Sequence, residues 1–218
     1  MSTDASEWTV GFDDEVEDIL KTVLRCGAWL RKKNHQEHEN PLSDRLLGLL
    51  KRDPQLRDSA LAFTREYRIT DDMGGEVGRL DFWFLVRSSR GDEPYFALEA
   101  KRLHFIQPSG KWDGGIAQYV GAASPKKRNS TLKPSGMMCF VAEKYSRGQG
   151  SAGMLGYVFD GDVGRARDAI AAMIRTRSER LTRTPPCALV GSAISNVAES
   201  RHSLARCSLV IYHILLAV

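Results

Sequence analysis

Cysteine is scarce in this sequence of 218 residues, and its four cysteines lie far apart without any C-x-x-C pair. This spacing favours free thiols in a reducing compartment and argues against a disulfide framework or a zinc site. The longest apolar run, residues 209–218, contains His213 and is only about half as long as a membrane span. The first residues are acidic and lack the apolar core of a signal peptide. We therefore expect a cytoplasmic protein that does not enter a membrane.

A strong charge imbalance is absent as well, because the net charge is only +4. Such a mild excess does not separate a nucleic-acid-binding protein from an ordinary basic protein. The basic residues are nevertheless clustered, and one polar stretch contains Lys126, Lys127, Arg128 and Lys133. We predict that this cluster contacts nucleic-acid phosphates, with a solvated surface as the alternative.

Low-complexity sequence is also missing, and the apolar content is typical of a globular protein. A chain of this length buries about 70% of its unfolded surface without disulfide or metal staples. A single domain over residues 1–218 is therefore the simplest interpretation.

Apolar periodicity and turn residues predict helices first and strands afterwards. The N-terminal helices fall within residues 13–53, where an amphipathic helix to about residue 33 precedes a second helix that begins at Asn40 and Pro41. The other predicted elements are strands at 62–69, 78–86 and 93–101, a helix at 112–123, strands at 136–144 and 154–161, a helix at 163–177, and strands at 187–190 and 208–218. This order predicts an α/β fold with a central mixed β-sheet flanked by helices.

The segment YFALEAKRL, residues 95–103, ends an apolar strand with two charged side chains, Glu99 and Lys101. Charge on a buried strand costs several kcal/mol unless a partner compensates it. Because side chains alternate across a strand, Glu99 and Lys101 share one face with Ala97. The strand itself supplies no further partner for these two charges.

The preceding strand supplies a candidate partner, Asp81. Alternation places Asp81 on one face of that strand and both Leu80 and Phe82 on the other. An antiparallel register with a three-residue loop at 89–91 puts Asp81 opposite Glu99, with Cβ atoms about 5 Å apart. If the apolar faces of both strands pack on one layer of helices, Asp81 emerges on the same side as Glu99.

Two carboxylates in this position predict a metal site. Charges about 4 Å apart repel by roughly 4 kcal/mol at an effective dielectric constant near 20, and a divalent cation removes that cost. Oxygen ligands favour Mg²⁺ or Mn²⁺. Lys101 would then position or deprotonate an attacking water, or stabilise charge that develops on a phosphate. A salt bridge on a half-exposed sheet is the alternative interpretation.

These residues resemble the PD-(D/E)XK nuclease superfamily, whose restriction-endonuclease-like core has the element order αβββαβ. Asp81 in GRLDF stands in the place of the acid on the second strand, without the preceding proline, and the segment Glu99, Ala100, Lys101 matches E-x-K. The resemblance covers roughly residues 37–142 as the catalytic core and leaves residues 150–218 as a C-terminal extension.

The resemblance implies an Mg²⁺- or Mn²⁺-dependent endonuclease that hydrolyses DNA phosphodiester bonds. Asp81, Glu99 and the Ala100 carbonyl would hold the metal, and Lys101 would serve the attacking water. By analogy with the family, restriction or anti-phage defence is the expected setting.

Two further residues match positions that the family often uses. Glu39, on the helix before the three strands, would complete a second metal or water site, although Glu37 is a rival for this role. Gln118, on the helix after the strands, would orient Lys101 or a phosphate. Ordinary surface roles are the alternatives for Glu39 and Gln118.

Other functions remain open at the level of sequence. One site cuts one strand, so double-strand breaks would indicate a homodimer, a partner subunit or two encounters. A non-catalytic nucleic-acid-binding or assembly subunit of the same fold is the main alternative. An RNA-directed nuclease would use the same chemistry.

Overall fold

The computed structural model describes residues 5–70, 73–86, 95–104, 115–121, 134–146, 149–176, 188–204 and 207–218. The helices in these ranges are α1 (Ala5–Gly27), α2 (Glu39–Leu50), α3 (Pro54–Asp58), α4 (Gly115–Val120), α5 (Met138–Val141) and α6 (Val163–Thr176). The strands are β1 (Leu61–Thr70), β2 (Glu76–Val86), β3 (Tyr95–Leu103), β4 (Ser151–Val158), β5 (Leu189–Gly191), β6 (Val197–Ser203) and β7 (Ser208–Ala217).

The strands form one mixed sheet in the order β1-β2-β3-β4-β7-β6-β5. β4 runs parallel to β3 on one side and to β7 on the other, and the other neighbouring pairs are antiparallel. Residues after 150 therefore supply β4 and β7, which lie in the middle of the sheet beside β3. The predicted α/β fold with a central mixed sheet flanked by helices is confirmed.

Buried apolar side chains form one cluster on each face of the sheet. The first cluster packs α1, α2 and α3 against the sheet and includes Leu46, Phe82 and Phe96. The second cluster packs α4, α5 and α6 against the opposite face and includes Tyr119 and Met154. Both faces are thus covered by helices, and β3 lies between the two layers.

None of the helices within the described ranges has both the length and the apolar character that crossing a membrane requires.

The predicted strand at 136–144 is wrong, because this segment contains the short helix α5. Gly136 has a φ of +53°, and a Cβ atom there would lie 2.2 Å from the Gln118 carbonyl oxygen. The Met137 N–H donates to the Tyr119 carbonyl, which ties the segment to the end of α4. A short apolar run does not distinguish a buried strand from a buried helical turn by periodicity alone.

Strand β6 was not predicted, because its sequence VAESRHS reads as polar. Ser200 and His202 are nevertheless buried, while Arg201 faces solvent. Ser200 Oγ lies 2.8 Å from His202 Nε2 and 2.9 Å from His213 Nε2. A side-chain hydrogen bond within β6 and another from Ser200 to His213 on β7 therefore satisfy buried polar groups in a strand whose sequence lacks an apolar pattern.

A buried hydroxyl pair joins α2 to the sheet and supports a stability prediction. Ser43 Oγ lies 2.9 Å from the Tyr157 hydroxyl, and neither side chain is exposed. We expect Ser43→Ala to lower the free energy of unfolding by about 1–3 kcal/mol, because the Tyr157 hydroxyl loses its partner in a dry site. Urea unfolding measures this loss, with the exposed Ser208→Ala as a matched control.

The double variant Ser43→Ala, Tyr157→Phe tests the cause of this loss. Removing both polar partners should recover part of the stability, because no unpaired hydroxyl remains. Equal stability of Ser43→Ala and the wild type would contradict the assignment.

Candidate active site

Strands β2 and β3 pair in the predicted register up to the candidate site. Their ladder joins residues 82–85 to residues 95–98. Continuing this register by one residue brings Asp81 level with Glu99. The loop at 89–91, on which the predicted register depends, lies outside the described residues.

The alternation of side chains along β2 is broken at Asp81. Leu80 packs in the second cluster, whereas Phe82 and Phe84 pack in the first. The prediction that Leu80 and Phe82 share a face is therefore wrong.

In strand β1 the side chains also change from one face of the sheet to the other, at the position next to Asp81. Leu61 belongs to the first cluster and Ile69 packs against the second, and between them Glu66 has a φ of +56°. A left-handed residue rotates the strand backbone and reverses the side on which later residues lie. By the β1–β2 register Glu66 is level with Asp81. The reversal lets the Asp81 carboxylate turn towards the edge of β3.

Beyond Leu98, backbone N–H groups of β3 donate hydrogen bonds to carboxylates instead of to the backbone of β2. The Ala100 N–H donates to Asp81 Oδ2 at 2.7 Å, and the Arg102 N–H donates to Glu39 Oε2 at 3.1 Å. N–H groups two residues apart lie on the same edge of a strand, and each needs a partner. Two acids from different elements, β2 and α2, are therefore fixed along one edge of β3.

The Lys101 ammonium lies among the oxygen atoms of this site. Its Nζ donates to Glu99 Oε1 and to the Ala100 carbonyl, both at 2.7 Å. The same Nζ lies 3.7 Å from Glu39 Oε1. A positive charge thus contacts two of the three predicted metal ligands, and the third, Asp81, is attached to the same backbone segment.

The pKa values show that this site holds more acid than Lys101 neutralises. Glu99 is only 8% exposed, and burial raises its pKa to about 7 although Lys101 opposes the rise. Burial also raises the pKa of Asp81, against the effects of Lys101 and the Ala100 N–H. Burial alone would lower the pKa of Lys101, but Glu99, Glu39 and Asp81 together raise it above its usual range. The ammonium therefore stays charged, and a further cation would stabilise the carboxylates.

The geometry separates the two rival glutamates. Both Glu37 oxygens accept hydrogen bonds from Arg45, at 2.7 and 2.9 Å, and Glu37 also accepts the Lys33 N–H. These contacts hold the pKa of Glu37 below its usual range. Glu39, at the start of α2, is the one that reaches Lys101.

The structure does not bring Gln118 to the site. Gln118 is exposed on α4, whereas the hydrogen bonds of Lys101 go to Glu99 and Ala100. The predicted phosphate contacts Lys126, Lys127, Arg128 and Lys133 lie outside the described ranges.

Three neighbours of the site escaped the sequence analysis. Arg65 on β1, which also contacts Asp44 and Asn40, lowers the pKa of Asp81. On the second face, burial and then the charge of Glu99 raise the pKa of Cys139 to about 11. Burial and then Cys139 and Glu99 also raise the pKa of Tyr145. Cys139 and Tyr145 were not identified because the segment at 136–144 was predicted to be a strand.

The donor set fits a hard divalent cation that keeps several waters. Within the ranges that the structure describes, no three His, Cys, Asp or Glu side chains converge as a metal site. The ligands available are the carboxylates of Asp81 and Glu99 and the Ala100 carbonyl. Oxygen ligands in this number suit Mg²⁺ or Mn²⁺, which are bound through one or two carboxylates and water.

The chain matches no family model, and comparisons with curated proteins and with solved structures also give no match. What the fold defines is an α/β protein with a seven-stranded mixed sheet.

Proposed function

We propose that this protein is a metal-dependent endonuclease that hydrolyses DNA phosphodiester bonds. The observation that supports the proposal is the contact of Lys101 with Glu99 and the Ala100 carbonyl, next to Asp81, where β2 separates from β3. Buried ionisable groups with perturbed pKa values, gathered at an irregular point of a sheet, are typical of functional sites. A role in restriction or anti-phage defence follows from the family resemblance alone.

Each residue has a distinct part in this proposal. Asp81, Glu99 and the Ala100 carbonyl would hold Mg²⁺ or Mn²⁺, which when bound supplies a Lewis acid beside the phosphate. Lys101, whose pKa is raised, is a hydrogen-bond donor rather than a base, so it orients the attacking water or contacts a phosphate oxygen. Glu39 holds the Arg102 N–H and lies beside Lys101, which makes it a positioning residue.

Nicking of supercoiled plasmid tests the proposal. We expect nicked circles to accumulate with the wild-type protein in Mg²⁺ or Mn²⁺, and none to form in excess EDTA. An RNA of matched length, incubated in parallel, distinguishes a DNA-directed from an RNA-directed nuclease. An absence of cleavage of either substrate in both metals would overturn the proposal.

A non-catalytic nucleic-acid-binding or assembly subunit is the second candidate. The salt bridge of 2.7 Å between Lys101 and Glu99 favours it, because Lys101 offsets the Glu99 charge without a metal. Calorimetric titration with Mn²⁺ separates the candidates. An enzyme should show binding heat that Asp81→Asn reduces, whereas an assembly subunit should show none at these residues.

A further inference from the structure

A cluster of basic residues surrounds the buried ring of Phe159, at the turn that follows β4. The Arg102 guanidinium lies 4.7 Å from the ring centroid, and Lys32 Nζ lies 5.8 Å from it. The His104 ring is 4.7 Å from the same ring, centroid to centroid, and accepts a hydrogen bond from Arg102 Nε. We call Lys32, Arg102, His104 and Phe159 the Phe159 cluster.

The Phe159 cluster lies directly beside the candidate active site. Arg102 follows Lys101 in the chain, and its N–H donates to Glu39. The Phe159 N–H donates to the Leu103 carbonyl at 3.0 Å, which joins the ends of the parallel strands β3 and β4. The carboxyl ends of strands are where open α/β sheets bind ligands.

The Arg102 guanidinium of the Phe159 cluster is held by a neutral group, because its Nη2 donates to the His35 carbonyl at 2.7 Å. Lys32 Nζ donates to a main-chain oxygen of Val218. Within the described ranges the Arg102 guanidinium contacts no carboxylate. An arginine stacked on an aromatic ring presents its remaining N–H groups in a fixed plane, a geometry that suits phosphate oxygens.

The loop between α1 and α2 adds positive charge to the same place. It carries Arg31, Lys32 and Lys33, while its acid Glu37 is bound to Arg45. The loop itself is therefore positive, in contrast to the acidic cluster around Lys101. A ligand that carries negative charge along its length would match both the basic loop and the site around Lys101. Its charges would contact the loop, and one of its phosphates would reach Lys101.

We infer that the Phe159 cluster binds a backbone phosphate of a polynucleotide, next to the phosphate that lies at Lys101. This inference rests on the proposed function, because it identifies polynucleotide as the ligand of the same region. It also fixes the path of the strand, which runs from Lys101 towards the loop between α1 and α2. Arg102 and Lys32 supply charge and hydrogen bonds, and Phe159 holds Arg102 in position.

Salt-dependent binding of a fluorescently labelled DNA duplex, followed by anisotropy in EDTA, tests the inference without cleavage. We expect Arg102→Gln and Lys32→Gln each to weaken binding about threefold to tenfold, and each to reduce the slope of log affinity against log salt by about one. Arg102→Lys keeps the charge and should retain most of the slope. The exposed Arg201→Gln, on β6, is the matched control and should behave as the wild type.

The outcomes separate this inference from the proposed function. If Arg102→Gln and Lys32→Gln keep the wild-type affinity and slope, or if the protein binds no DNA or RNA, the inference is overturned. If plasmid is not nicked but both variants reduce the slope, the inference stands and the proposed enzyme activity fails. If plasmid is nicked and the slopes are unchanged, the activity stands and the inference fails.

Discussion

Replacement of Lys101 by methionine should lower the rate of plasmid nicking by about 10²- to 10³-fold, the range that the loss of one positioned hydrogen-bond donor costs. Methionine keeps an unbranched side chain of similar length but removes the ammonium that contacts Glu99 and the Ala100 carbonyl. Initial nicking rates under single-turnover conditions in saturating Mg²⁺ measure the effect. The exposed Lys51→Met, at the end of α2, is the matched control.

Two measurements show whether the loss in Lys101→Met is chemical. DNA binding in EDTA should change little, because without a metal the Lys101 ammonium is engaged by Glu99 and the Ala100 carbonyl. Thermal unfolding in the presence of Mg²⁺ should show a folded protein, since the cation offsets the acids that the lysine leaves behind. Nicking at the wild-type rate by the folded variant would contradict the role given to Lys101.

The sequence predicts most of this sheet because most of its strands are runs of aromatic and branched residues bounded by turn residues. The predicted strands at 78–86 and 93–101 are such runs, and the structure has β2 and β3 there in the expected register. Glu99 and Lys101 stand out because they are charged residues in the middle of such a pattern. Their contact in the structure follows from their spacing on one strand.

The position of Asp81 shows what alternation cannot predict. Its bond to the Ala100 N–H depends on the reversal of facing in β2, and the residue with the left-handed backbone that accompanies this reversal is Glu66 in β1. A glutamate in that conformation carries no sequence signature, unlike a glycine. The contact between Glu39 and the Arg102 N–H is equally hidden, because it joins residues 63 positions apart.

The pH dependence of stability provides the second test of the site. The pKa of Glu99 is raised from 4.5 to about 7, so the folded protein binds this proton more tightly than the unfolded chain. Stability from Glu99 is therefore fully present below pH 4.5 and is lost as the pH rises towards 7. A tenfold change in proton affinity corresponds to about 1.4 kcal/mol, so the loss across this window is about 3 kcal/mol.

Glu99→Gln should remove this pH dependence, because glutamine does not titrate. We expect the free energy of urea unfolding in EDTA to fall by about 3 kcal/mol more in the wild type than in Glu99→Gln between pH 4.5 and 7.5. Glu37→Gln is the matched control: the pKa of Glu37 is lowered, so its contribution is lost only as the pH falls below 4.5. Parallel curves for the wild type and Glu99→Gln would show that the pKa of Glu99 is not raised in the folded protein. Added Mg²⁺ should flatten the wild-type curve if the carboxylate holds the cation, since binding then favours the deprotonated form at neutral pH.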